Sequence, residues 1–324
     1  MSTQTRQYKQ LTLGQRYQIE ALLGTDLLQK EIADKVGITE STLSRELHRN
    51  ASNDGYYAET AHALTTQRRA SPTKFSKSNE RHMPIIKKGL SLGWSPENIS
   101  ARMKVEVPEI ALSHMTIYKR IGANKTQGGT LYKEPPRYGK RRCKGGKRKA
   151  GRFLIPNRVD ISERPEVVEL RSRLGDWEGD TVFGQDAHLV TLVDRKSRYT
   201  LIGKTDTKQA ETVADTMINL LKRVSTVCII TLDNGGEFAA HEKVSKAMNA
   251  DVFFAKPYAS YQRGTNENTN GIIRRTWPKK IALGNLSEES IRETELLINT
   301  MPRKVLGGRT PLEVYSGVSI ALIA

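Results

Sequence analysis

The 324-residue chain carries 52 Lys+Arg against 35 Asp+Glu, a formal net charge of +17, with 37% hydrophobic and 27% charged residues. That length bounds two or three domains with a core of their own, and the two cysteines, Cys143 and Cys228, exclude both a disulfide framework and a Cys/His zinc module. No apolar stretch reaches transmembrane length and the first residues lack a signal-peptide core, so the expectation is a soluble, intracellular protein with free thiols, no membrane and no zinc.

The charge is uneven. Residues 1–152 hold 29 Lys+Arg and 13 Asp+Glu, which leaves 23 and 22 for residues 153–324. A basic front half binds polyanions through counterion release, and no basic amphipathic helix favours a membrane surface instead.

Residues 11–50 read as three short helices: 11–23, then 29–36 with Ile32 and Val36 one turn apart, then a turn at Gly37 and a third helix capped by Thr39. Leu43 and Leu47 of the third helix point inward, which leaves Ser41, Thr42, Arg45, His48 and Arg49 outside. Helix, glycine turn and helix at this spacing predict a helix-turn-helix whose second helix faces base edges; the plain rival is a small bundle with a solvated basic face. Residues 51–90 read as a partly helical, partly flexible linker. Trp94-Ser-Pro-Glu97 opens a second helical unit over 91–125, with a recognition-helix candidate at 113–121 carrying Thr116, Lys119 and Arg120. That unit reads either as a second helix-turn-helix-like domain or as a helical spacer. Residues 126–155 form a basic linker, nine of the sixteen residues from 137 to 152 being Lys or Arg. Arg141, Arg142, Lys147, Arg148 and Lys149 there are expected to track phosphates without reading sequence.

From residue 156 to the end the pattern becomes three strands, helix, strand, helix, strand, helix: 177–183, 188–194, 199–204, 208–224, 227–232, 237–248, 251–255 and a helix from about 264. This is the order of a ribonuclease H-like α/β domain, a mixed five-stranded sheet flanked by helices. The buried run 227–232 ends in Asp233, followed by Asn234-Gly-Gly236, so an acid sits at the carboxyl end of a strand beside a glycine turn. Glu267 lies at the start of the last of these helices. A third acid comes from the first strand, where Asp176, Glu178 and Asp180 share one face by period-two alternation. Three carboxylates on separate elements, without a His/Cys ligand set, suit a hard divalent cation. On the Glu267 helix, Arg263, Asn270 and Arg274 share its face and are read as holding a DNA backbone; for Arg274 the rival is solvated surface charge. Tyr258 and Tyr261 could stack on an unpaired base, Glu237 could support Asp233, and His188 and His241 read as structural.

The segments Gly175-Asp-Trp-Glu-Gly-Asp-Thr-Val182, Thr231-Leu-Asp-Asn-Gly-Gly-Glu-Phe238 and Pro257-Tyr-Ala-Ser-Tyr-Gln-Arg-Gly-Thr-Asn-Glu-Asn-Thr-Asn-Gly271 resemble the catalytic signature of bacterial DDE transposases. More narrowly they resemble the insertion-sequence-thirty family, in which 33 residues separate the second aspartate from the glutamate, as they do between Asp233 and Glu267. The likeness extends through Asp194-Arg-Lys-Ser-Arg-Tyr199 and Arg309-Thr-Pro-Leu-Glu313. One departure is Met301, where the family's Asn-x-Arg-Pro-Arg-Lys has an arginine. The resemblance selects Asp180 among the three strand acids. It implies that Asp180, Asp233 and Glu267 hold Mg²⁺ or Mn²⁺, as two ions, and cut and join double-stranded DNA at terminal inverted repeats. It further implies a homodimer or larger assembly in the bacterial cytoplasm, associated with the nucleoid. The rivals are a DNA-binding regulator whose catalytic half only dimerises, and a nuclease acting on hybrids.

Overall fold

A computed structural model of the chain describes residues 10–70, 79–136, 138–139, 155–256, 264–279 and 281–323. It divides into two compact units, Met1–Lys77 and Ser78–Ala324.

In the first unit α1 (Leu13–Leu23), α2 (Gln29–Val36), α3 (Glu40–Asn50) and α4 (Ala58–Ala70) surround a core of Ile19, Ile32, Ala33, Val36, Leu43, Tyr56 and Ala61. Thr12 and Gln15 close a capping box on α1, and Gly37 turns the chain between α2 and α3 at φ 72°, a conformation that costs other residues a steric clash. Residues 51–70, expected as part of a linker, belong to this unit instead. The reason is chemical as well as apolar: Glu20 of α1 accepts the backbone N–H of Ala58, and Tyr56 donates to Glu46, which also pairs with buried Arg16 at 2.7 Å.

The second unit is built on a five-stranded sheet of order β3-β2-β1-β4-β5, with β1 (Asp176–Phe183), β2 (His188–Asp194), β3 (Thr200–Thr205), β4 (Ile229–Leu232) and β5 (Asp251–Phe254), and the short α8 (Val167–Leu170) precedes β1. β1, β2 and β3 pair antiparallel, whereas β4 and β5 run parallel to β1. One face, with Trp177, Val190, Leu192, Ile230 and Leu232, packs on α9 (Ala210–Leu221) and α10 (His241–Met248). Between β4 and α10 a single 3₁₀ turn, Gly236–Phe238, replaces the continuous helix expected from residue 237. The opposite face, with Val182, Leu189 and Ile202, packs on α11 (Gly264–Thr276) and α12 (Glu288–Asn299).

That second core also takes in α5 (Asn79–Ser91), α6 (Pro96–Glu106) and α7 (His114–Thr126) through Ile86, Leu90, Trp94, Ile99, Met103, Ile117 and Ile121. The stretch 91–125 is thus joined to the sheet by one apolar core. Each such side chain gains roughly 1.5–3 kcal/mol by burial. The tail is tied to the same helices: Arg102 of α6 forks onto Glu313 of α13 (Pro311–Ser316), and Glu106 accepts the backbone N–H groups of Leu322 and Ile323.

Candidate active site

The three same-face acids of β1 have separate fates. Asp176 is buried and forked by Arg173, with Nε to Oδ2 at 3.0 Å. Glu178, fully buried, pairs with Arg195 and accepts the N–H of Asn266 at the start of α11. Asp180 is half-buried and takes Asn270 Nδ2 on Oδ2 at 2.7 Å and the Thr181 N–H on Oδ1 at 2.9 Å. The first two carboxylates anchor the sheet. Asp180 stands where β1 runs on beyond the end of β4.

β1 and β4 pair in parallel with Glu178 opposite Thr231. Carried two residues past its last pair, that register leads to Asp180 on β1 and to Asp233, the residue that follows the end of β4. Asp233 Oδ1 accepts the N–H of Gly235 at 3.0 Å. A Cβ on Gly235 would lie 2.5 Å from Glu237 Oε2 and 2.9 Å from Asp233 Oδ1, so any other residue there displaces one or both carboxylate ends from their present positions. Glu237 in turn accepts the Thr181 hydroxyl at 2.9 Å. Thr181 therefore stands in sequence beside Asp180 while its hydroxyl binds the acid next to Asp233. The 3₁₀ turn keeps Glu237 in that position. The sequence indicated Glu237 as a neighbour of Asp233, but gave no signal for Thr181.

Glu267 occupies the first turn of α11 and is exposed, with no ion pair or hydrogen bond among the described residues. Its helix is docked on the sheet by Asn270 to Asp180 and by Arg274, whose Nη2 donates to the Phe183 carbonyl at 2.6 Å. Asn270 and Arg274, both expected on DNA, are held here against β1; burial lowers the Arg274 pKa from its ordinary value. Arg263, Tyr258 and Tyr261 lie outside the described residues, as do Arg141, Arg142, Lys147, Arg148 and Lys149.

The donors near this turn are carboxylate oxygens, the set a hard divalent cation takes, and the Gly235 cradle brings two of them together. Among the described residues no three His, Cys, Asp or Glu side chains converge closely enough to enclose an ion. The fit is thus in donor chemistry and in the strand register of the two aspartates. His188 and His241 lie outside this set: each stacks edge-on against a phenylalanine, Phe183 and Phe254 respectively, and burial together with Lys208 lowers the His188 pKa.

In the first unit Ser41, Arg45, His48 and Arg49 are exposed along α3 and Thr42 is half-buried. Thr42, Arg45 and Arg49 share a cavity of ≈ 220 Å³ with Arg68 and Arg69 of α4. Those two arginines were not singled out from the sequence. On α7, Lys119 is exposed, Arg120 half-buried, and the Thr116 hydroxyl is engaged by the capping Ser113 at 2.9 Å.

An integrase core domain family matches residues 172–260 and a helix-turn-helix domain family matches residues 7–50. The chain is 39% identical over 321 residues to the transposase for insertion sequence element IS4351 of Bacteroides fragilis, covering 96% of each. It is 33% identical over 328 residues to transposase InsI for insertion sequence element IS30A of Escherichia coli, covering 96% of this chain and 84% of that one. Against the transposase for IS1086 of Cupriavidus metallidurans the identity is 34% over 330 residues, with 96% and 95% covered. Among solved structures it is similar to the catalytic core domain of BIV integrase (TM-score 0.36, 22% identity, 44% of this chain and 94% of that one) and to the HTLV-2 integrase catalytic core domain (TM-score 0.35, 16%, 44% and 98%). Among the described residues no helix is long and apolar enough to cross a membrane. A helix-turn-helix unit followed by an integrase-type core, matched over nearly the full length of these relatives, means that the chain belongs to the IS30 family of insertion-sequence transposases.

Proposed function

We propose that this transposase cuts and rejoins DNA at the terminal inverted repeats of its own element, with Asp180, Asp233 and Glu267 holding Mg²⁺ or Mn²⁺, two ions, at the carboxyl end of the sheet. The observation that carries the reading is the pairing of Asp180 with Asn270 of the Glu267 helix, near the end of β4 from which Asp233 follows. The chemistry such ions supply when bound is activation of the attacking oxygen and stabilisation of the leaving oxygen of a phosphodiester.

The chain's own part is orientation. Asn270 fixes one oxygen of Asp180 and the Thr181 N–H the other. The Gly235 N–H fixes Asp233, and Thr181 holds Glu237 beside it. Arg274, bonded to the end of β1, keeps α11 from sliding along the strand. No side chain is needed as a covalent nucleophile, since water and then a freed 3′-hydroxyl can attack in line. The α3 face with Ser41, Thr42, Arg45, His48 and Arg49 reads the ends, with Thr116, Lys119 and Arg120 of α7 as a second contact. Two copies of the chain pair two ends. The protein works in the bacterial cytoplasm on nucleoid DNA.

The test is strand cleavage on a duplex carrying the terminal repeat, with Mg²⁺ or Mn²⁺, comparing wild type with Asp180→Asn and Glu267→Gln. Nicking at the repeat boundary by the wild type alone, with unchanged end binding in both variants, is the expected result. Full cleavage by either variant sinks the triad.

A further inference from the structure

A cleft of ≈ 600 Å³ lies between the start of α6, α7, one side of α11 and the 301–305 turn. It is lined by five cations, Arg171, Arg198, Arg275, Arg303 and Lys304, against a single acid, Glu97, which accepts the Tyr118 hydroxyl at 3.1 Å. On α11 the lining positions are 264, 265, 268, 269, 272 and 275. Glu267, Asn270 and Arg274 fall close to half a helical turn away from the middle of that stripe. The cleft and the carboxylate end therefore use opposite faces of one helix.

We propose that this cleft is a second binding site for the phosphodiester backbone of DNA, on the side of α11 away from the carboxylates. Its occupant rests on the transposase reading above; its anionic character does not. The first support is Arg303, only 7% exposed. Its Nη2 donates to the Ile298 carbonyl, but its buried Nε has no partner. Burial, with Arg275 and Arg198 nearby, lowers its pKa to about 10. A nearly buried guanidinium among like charges is costly until an anion beside it offsets the charge.

The second support is backbone strain. Only four non-glycine residues among those described take a positive φ: Asn157, Arg171, Arg198 and Asn249. Asparagine tolerates that conformation; arginine does not favour it. Both arginines, at φ 50° and 64°, line this cleft: one closes the short helix 167–170 and the other the β2–β3 turn, so both strained turns fall at its wall. The third is continuity. Pro135 and Pro136 form part of the wall, and the sequence runs directly from them into the nine Lys/Arg of residues 137–152. Met301, where the family's motif has arginine, lies in the same wall, so the charge of this site comes from neighbouring positions.

The experiment uses the full chain carrying Glu267→Gln, so that binding is read without cleavage, and a duplex of arbitrary sequence over a salt series. Arg171→Gly and Lys304→Gln are made singly and together. Each should reduce the slope of log affinity against log salt by about 0.9, the value for one lost phosphate contact. Arg171→Gly should also melt no lower than its parent, because glycine accepts the positive φ. A combined variant with the parental slope overturns the site even if the wild type cleaves normally. A reduced slope in a protein whose wild type cuts nothing leaves the cleft standing and removes the catalytic reading instead. Inorganic phosphate at fixed ionic strength is the other arm. If it raises the melting temperature of the parent but not of Arg171→Gly, while the DNA slope stays unchanged, the cleft takes a small anion and the DNA assignment falls.

Discussion

Removing the side-chain amide of Asn270 separates two roles that its place on α11 allows. Its Nδ2 donates to Asp180 Oδ2 at 2.7 Å, and its Oδ1 accepts the Thr191 hydroxyl at 3.4 Å. The second contact is long and neutral. The first is a bond to a carboxylate, of a kind whose loss costs about 1.5–3 kcal/mol. If that stabilisation is needed only when Asp180 is oriented for reaction, Asn270→Ala slows cleavage by about 10- to 150-fold, since each 1.36 kcal/mol is a factor of ten. The assay is single-turnover nicking of a terminal-repeat duplex, with the rate followed over a Mn²⁺ titration and DNA affinity measured in parallel. The rate should fall, the Mn²⁺ midpoint should rise, and affinity should stay within about twofold, because positioning a ligand is not holding DNA. An unchanged rate and midpoint would refute the positioning role. A loss of DNA affinity matching the loss of rate, with the midpoint fixed, would return Asn270 to the DNA contact that its helical face first suggested.

Three further outcomes follow from the same geometry. Gly235 has φ −71°, which alanine adopts freely, so Gly235→Ala leaves the fold intact while its Cβ presses on Glu237 and Asp233; cleavage should drop by at least about tenfold with little change in melting, and wild-type activity would show that the two carboxylates need not approach. Burial alone would raise the Glu313 pKa, but the Arg102 fork and the N–H groups of Ile320 and Thr310 outweigh it and hold the carboxyl at about 2. The folded pKa is thus below the ordinary 4.5, so this stabilisation is complete above pH 4.5 and lost as pH falls toward 2; Glu313→Gln should be less stable at neutral pH, by about 3 kcal/mol in urea unfolding, and should lose less between those pH values, equal acid profiles being the contrary result. Arg45→Ala should cost about 1–3 kcal/mol on the terminal repeat and relax its sequence preference, whereas Lys119→Ala should lower the salt slope by about 0.9 on any duplex; the reverse pattern would make α7 the reader.

What was legible in the sequence follows from what period and spacing encode. The bounds of α2 and β2 could be read to the residue, because apolar repeats and Gly37 or a terminal aspartate mark their ends. The face shared by Asp176, Glu178 and Asp180 was legible for the same reason. Which of the three is engaged elsewhere was not: Arg173 is three residues from Asp176, but Arg195 reaches Glu178 across the sheet, a contact no local pattern announces. Helices α5 to α7 show the same limit. The spacing of Ile99 and Met103 says that a face is buried, and the structure adds that it is buried in the core that also holds Leu189, Ile202 and Ile273. Tyr56 and Ala61 are buried by packing against α1 to α3, a contact no local pattern announces, which is why 51–70 read as a linker.

α11 links the carboxylate turn to the arginine cleft. One of its faces holds Asp180 through Asn270 and the β1 terminus through Arg274; the other lines a cleft of arginines. At its first turn, Glu178 accepts the Asn266 N–H, and Arg198 donates to the Thr265 hydroxyl. The helix start is therefore tied both to a buried sheet acid and to a cleft arginine held at positive φ. A rigid helix transmits displacement along its whole length, so an anion that draws Arg198 away from Thr265 would act on the same turn that carries Glu267. The consequence is measurable without cleavage. In the Glu267→Gln background, saturating duplex should change amide exchange at residues 265–270, and Arg171→Gly with Lys304→Gln should weaken that change at equal occupancy. Protection that follows occupancy alone, whichever cations line the cleft, would mean that the two faces of α11 act independently.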